Sequence, residues 1–167
     1  MAAQPAYRSA LMSIRPQFVN AILDGSKRVE FRKRRLAVDV SRVVIYTTSP
    51  VQAVVGEFTI ADQVVDTPQA LWQRYAAVAG IDYAAFFKYF AGFTDAVGIV
   101  IDEVLEYKTP LSLDEVEPGA RPPQSFIYLS KPDFKLADKA NAIGDVWTIP
   151  QETKNPHPAP FPVELAD

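Results

Sequence analysis

Gly25-Ser26-Lys27-Arg28-Val29-Glu30-Phe31-Arg32-Lys33-Arg34-Arg35 is where the hydrophobic period of the chain changes from helical to extended. Just upstream, Phe18, Val19, Ile22 and Leu23 recur at helical spacing behind Pro16, a residue suited to the first turn of a helix. Gly25 stands where a left-handed C-terminal cap is wanted, so the pattern predicts a helix over 16–24. From Lys27 the period is two. Val29 and Phe31 fall on one face and Arg28, Glu30, Arg32 and Arg34 on the other, which predicts a half-buried strand with a polar face.

Outward from this junction the elements follow in a defined order. Residues 1–8 read as a frayed leader and 10–14 as a short buried strand. Two strands rich in β-branched residues, 43–47 and 51–60, are separated by the turn signal Ser49-Pro50 and are expected to pair as neighbours. Thr67-Pro68 caps and opens a helix with an apolar stripe of Leu71, Trp72, Tyr75 and Val78, and Gly80 ends it. Asp82 caps a further helix, whose Tyr83, Phe86, Phe87 and Phe90 are expected in the core rather than as a platform for stacked bases, because their spacing marks a buried helical face. A long strand over 96–107 and a short one over 124–129 complete the set.

Strands and crossover helices do not alternate regularly. The expected fold class is therefore α+β with β dominant: a small, mostly antiparallel β-barrel with flanking helices, not a doubly wound parallel sheet. The length of 167 residues suits one domain over 1–149 with its core at about 10–130, followed by a Pro-rich tail at 150–167. With 49% hydrophobic and 22% charged residues the chain has ample material for a core and too much for intrinsic disorder.

Composition removes several chemistries. Without cysteine there are no disulfides, thiolate nucleophiles or thiolate-bound metals, and the one histidine, His157, lies between prolines where no regular element holds it. The glycines form neither G-x-G-x-x-G nor G-x-x-x-x-G-K-[ST], and no serine stands in a G-x-S-x-G elbow. Asp102 and Glu103, as strand neighbours, point to opposite faces. No metal and no cofactor is expected. The N-terminus lacks a basic leader with an apolar run, and no apolar run approaches the roughly 20 residues that span a bilayer, so a cytoplasmic protein with no membrane partner is expected. No sequence feature specifies an oligomeric state.

Charge is unevenly placed. Residues 1–42 carry nine Lys/Arg against three Asp/Glu, and six of those basic residues fall between Lys27 and Arg35. Such a block suits a phosphate footprint, with Arg28, Lys33, Arg34 and Arg35 as backbone contacts; the alternative is a solvated strand and turn. Glu30 and Arg32 share a strand face and Lys27 leaves the preceding turn, so cation, carboxylate and guanidinium meet at one mouth. That set suits a planar polar base, with the carboxylate accepting from N–H groups and the arginine donating a fork. The same spacing also fits an ordinary ion pair on a wet face.

Leu11-Met12-Ser13-Ile14-Arg15-Pro16 followed by Gly25-x-Lys27-x-x-Glu30-x-Arg32 resembles the ASCH domain family of the PUA-like barrels. Ala53-Val54-Val55-Gly56-Glu57-Phe58 is similar to the family's next barrel strand, and Pro122-Pro123-Gln124-Ser125-Phe126 to the closing motif of a subgroup described as predicted transcriptional regulators. The resemblance spans 11–129. It implies a pseudo-barrel whose cleft binds RNA or a modified nucleoside or nucleotide, in RNA metabolism or gene regulation. Lys27, Glu30 and Arg32 match the signature, Gly25 supplies its turn, and Ser13, Arg15, Gln124 and Ser125 come with the matching segments as ligand-binding candidates, the last two able to read base edges. One branch of the family hydrolyses acetylated cytidine with a lysine, a threonine three residues later and a downstream glutamate. Here Glu30 replaces that threonine and Ala79 falls near the glutamate, so that mechanism does not carry over. A Lys27/Glu30 acid–base pair acting on an amide or phosphodiester is the alternative, making the protein a hydrolase; a protein-interaction scaffold is the third reading.

The tail's prolines leave little to build a core. Truncation after Thr148 is expected to preserve folding, and loss of several kcal/mol in denaturant unfolding would make the tail part of the domain.

Overall fold

The computed structural model describes residues 7–130 together with 147–148. Strands β1 (Arg8–Ile14), β2 (Val29–Arg32), β3 (Val40–Thr47), β4 (Ala53–Asp66), β5 (Ala96–Leu111), β6 (Phe126–Tyr128) and β7 (Trp147–Thr148) form one sheet. Helices α1 (Pro16–Asp24), α2 (Pro68–Tyr75), α3 (Tyr83–Tyr89) and α4 (Leu113–Val116) fill the connections. The strand order is β2-β5-β4-β3-β1-β6, with β7 paired to β5. Every pairing is antiparallel except that of β1 with β3. The sheet curls into a half-barrel, the α+β architecture expected from the order of elements.

Curvature originates in the long central pair. The register of β4 against β5 shifts at three places between Val54 and Asp62, and each irregularity bends the ladder and increases its twist. At Gly56 a Cβ would stand 2.5 Å from the Leu105 carbonyl oxygen, so glycine permits the closest approach of these strands.

The local signals set the helices. Pro16 opens α1, and Gly25, at φ 84°, closes it with a bond from its N–H to the Ile22 carbonyl. The Thr67 and Asp82 side chains accept from the backbone N–H groups of Ala70 and Ala85, capping α2 and α3. Strand β3 starts at Val40, three residues before its expected start, β4 spans 53–66 in place of 51–60, and β5 continues past 107 to Leu111, because ladder hydrogen bonds, not the apolar alternation alone, set where a strand ends. Helix α4 was not expected, although Ser112 and Glu115 form a capping box that the sequence spells out.

Apolar packing covers both sides of the sheet. Met12, Ile45, Phe58 and Ile99 pack with Ile22 of α1 inside the curl, whereas Leu11, Val44, Tyr107 and Leu111 pack under Val116 of α4 on the opposite face. A third cluster joins Val29 and Phe31 to Leu71, Tyr75, Phe86 and Phe90 of the α2–α3 region. This cluster corrects two expectations. Strand β2 is buried along its whole length, not half-buried, because α2 and α3 cover one face and the cleft encloses the other. Of the aromatic residues assigned to the core, Phe86 and Phe90 are buried and Phe87 half-buried, but Tyr83 is exposed at the start of α3, its ring against Trp72 and Phe87. The expected tail, 150–167, lies outside the described residues.

Phe86 is fully buried and holds α3 edge-on to Phe31 of β2, with ring centroids 4.9 Å apart. Phe86→Ala is expected to cost about 3 to 5 kcal/mol in urea unfolding, with an unchanged m-value.

Candidate functional site

The first and last strands of the sheet path, β2 and β6, do not pair with one another. The gap between them is crossed by a side chain. Arg32, at the end of β2, donates from Nη2 to the Ser13 carbonyl of β1 at 2.8 Å and from Nη1 to Ser125 Oγ, just before β6, at 3.4 Å. Its Nη2 also lies 3.1 Å from Glu30 Oε1. Ser13 completes the link by donating from Oγ to the Pro123 carbonyl and from its backbone N–H to the Ser125 carbonyl.

Glu30 faces a second cation. Lys27 Nζ stands 3.6 Å from Glu30 Oε2 and donates to the Ala79 carbonyl at 2.6 Å, so the backbone of Ala79, not its side chain, meets the site. The ammonium also lies over the Phe18 and Phe31 rings. Gly80, at φ 62°, leaves the space through which the Lys27 stem passes, since a Cβ there would collide with it. Lys27, Glu30 and Arg32 are only 3%, 6% and 8% exposed. A wet surface ion pair, one of the two expectations for this spacing, is thereby excluded.

Burial pushes the Lys27 ammonium below its ordinary lysine value, outweighing the Glu30 carboxylate that holds it up, and the Arg32 guanidinium adds to the lowering. Two cations share one carboxylate in a water-poor setting. The surplus positive charge favours an anionic ligand, and the Arg32 Nε–H, which makes no hydrogen bond, is an additional donor beside it.

These groups form the floor of a cleft of about 1080 Å³. Of the sequence candidates, Ser13, Arg15, Lys27, Glu30, Arg32, Lys33, Arg34, Gln124 and Ser125 all line it. Arg28 and Arg35 do not. Arg28 turns back to donate from Nε to the Gly25 carbonyl at 3.2 Å, and Arg35 borders a separate depression beside Tyr7 and Val38. The basic block therefore divides among three directions, because the chain bends directly after Arg32. Lining residues that the sequence reading missed include Lys88, Tyr89 and Phe93, around the C-terminal end of α3. Tyr89 falls out of phase with the buried helical stripe, which was the available signal, whereas Phe93 lies beyond the end of α3, where no such phase applies.

A second buried polar group lies elsewhere, on β4 and β5. Tyr107 donates its hydroxyl to Glu57 Oε2 at 2.5 Å, and Arg42 Nε stands 3.5 Å from Glu57 Oε1. Burial, aided by the Glu57 carboxylate, pushes the Tyr107 phenol up, so it stays protonated and the pair acts as a structural lock. Among the described residues no three His, Cys, Asp or Glu side chains converge as metal ligands, and no helix there is long and apolar enough to cross a membrane.

Because Glu30 compensates two buried cations, Glu30→Ala is expected to destabilise the fold by about 3 to 5 kcal/mol in denaturant unfolding, whereas a surface pair would cost within about 1 kcal/mol.

No protein-family model matches the chain. An ASCH domain-containing ribonuclease of Zymomonas mobilis is 33% identical over 131 residues, which are 76% of this chain and 88% of that protein. The crystal structure of the Zymomonas mobilis ASCH protein superposes with a TM-score of 0.66 at 29% identity, covering 80% of this chain and 92% of the other. That of its serine-to-alanine variant superposes with a TM-score of 0.69 at 30% identity, covering 77% and 93%. The half-barrel, the identity and the mutual coverage agree with the signature at Gly25, Lys27, Glu30 and Arg32: the chain belongs to the ASCH domain family.

Proposed function

We propose that the cleft binds single-stranded RNA and cleaves its phosphodiester backbone. The observation that carries this reading is the buried cluster of Lys27, Glu30 and Arg32, with its surplus positive charge, at the floor of a cleft rimmed by Lys33, Arg34 and Lys88. The ribonuclease of Zymomonas mobilis, so similar along its length, supports the substrate class. A phosphate on the floor takes donors from Arg32 and Ser125, while Gln124 reads the edge of the adjoining base.

The chemistry is an internal transfer. The ribose 2′-oxygen attacks phosphorus as its proton passes to the Glu30 carboxylate, the bond from phosphorus to the 5′-oxygen breaks, and the Lys27 ammonium protonates the departing oxygen. The products are a 2′,3′-cyclic phosphate and a 5′-hydroxyl. Return of the proton from Glu30 to Lys27, neighbours at 3.6 Å, restores the pair. A lysine whose affinity for its proton is lowered by burial is the better acid for this step.

A second reading, recognition of a modified nucleoside without turnover, is favoured by one observation: Glu30 is already engaged by two cations, which suits a fixed acceptor as well as a base. Gene regulation by the subgroup of predicted transcriptional regulators rests on the segment Pro122–Phe126 alone.

The test is incubation of the protein with an end-labelled single-stranded RNA, separating products and measuring affinity in parallel. Cleavage to cyclic-phosphate ends is expected, falling roughly hundredfold or more in Lys27→Ala. The rate is expected to fall as pH rises through the lowered Lys27 value, thus below the ordinary lysine range, because only the protonated form donates. Replacing Lys33 and Arg34 by serine is expected to flatten the salt dependence of binding by about 0.7 in log–log slope for each lost phosphate contact. Saturable binding with no product would replace cleavage by recognition without turnover; no binding of RNA or of modified nucleosides would leave the scaffold.

A further inference from the structure

The geometry points to a second, base-stacking subsite in the cleft, formed by Tyr89 and Phe93 with Lys33, that holds the base of a nucleotide neighbouring the one on the Lys27–Glu30–Arg32 floor. This rests on the reading of the cleft as a single-stranded RNA site. Tyr89 and Phe93 are 39% and 46% exposed, against 0% and 2% for Phe86 and Phe90 in the same segment. Two aromatic rings are thus turned out of the core on one cleft wall, while their neighbours build the core that supports them: the Tyr89 ring packs edge-on to Phe90 at 4.7 Å.

What faces the two rings is a cation. Lys33 Nζ lies 4.7 Å from the Tyr89 centroid and 4.4 Å from that of Phe93, and all three residues line the cleft. A lysine over an exposed ring is held weakly, and a base stacked on the same face gains more. An arriving base therefore displaces the ammonium, which remains tethered beside the rings and pairs with the phosphate of the same nucleotide. Every base has a π face, so such a wall is tolerant of sequence, and it excludes a duplex, whose bases are stacked already. The subsite makes single-strandedness the property selected on this side of the cleft, and base identity is left to Gln124 on the other.

The probe is a short RNA with 2′-O-methyl riboses, which binds but cannot react through a 2′-hydroxyl, in versions with one abasic position moved along the strand. Tyr89→Ala with Phe93→Ala is expected to weaken binding of the intact oligonucleotide about tenfold or more, and Tyr89→Phe to leave it unchanged. One abasic position is expected to weaken the unaltered protein by a similar factor and to have no further effect on the double variant. Thermal unfolding and cleavage of a dinucleotide too short to reach the wall report whether the fold and the floor survive the substitutions. Equal affinity of the unaltered protein and the double variant overturns the stacking subsite while the RNA reading stands. Failure of the unaltered protein to bind any of the oligonucleotides overturns both.

Discussion

Arg32 crosses a seam that backbone hydrogen bonding leaves open. A curled sheet that stops short of closure presents two edges, and here the edges are β2 and the region of β1 and β6. A complete barrel would fill that gap with a ladder and leave no cleft. One guanidinium instead reaches from β2 to the Ser13 carbonyl and the Ser125 hydroxyl, fixing the distance between the edges while keeping the space beside it accessible. The site and the closure of the fold are thus the same interaction, and its planar fork suits it to both.

That arrangement has an electrostatic consequence. Arg32 needs a counter-charge when buried, and Glu30, two residues before it on the same strand face, supplies one. Lys27 adds a second cation to the same carboxylate, its stem lying in the space that Gly80 keeps open. Helices α2 and α3 hold this strand from behind through Phe31, Leu71 and Phe86, so the polar cluster stands on a rigid apolar base. Two buried cations on one carboxylate at the bottom of a cleft are a poor design for stability alone. They gain sense when an anion joins them.

The divided basic block shows how charge in a sequence becomes charge in a place. Six cations in nine residues read as one footprint, yet one residue caps its own turn, one borders another depression, two form the site floor and two stand on the rim. The bend after Arg32 makes the difference, because alternation in a strand separates neighbours by face and a turn separates them by direction.

Local signals carried much of this structure. Helix α1 and its glycine cap, the caps at Thr67 and Asp82, and the alternation of Val29 to Arg32 are interactions among residues close in the chain, so the sequence alone determined them, along with the signature that brings Lys27, Glu30 and Arg32 together. Burial was not legible in the same way. Whether the polar face of β2 is wet or enclosed depends on α3 and on the segment around Ser125, which lie far along the chain, and no period within β2 reports what will be packed over it. Tyr89, out of phase on α3, and Phe93, just past its end, likewise acquired meaning only once the fold placed Lys33 above their rings, since a helical stripe tells which side chains enter the core and not what meets those left outside.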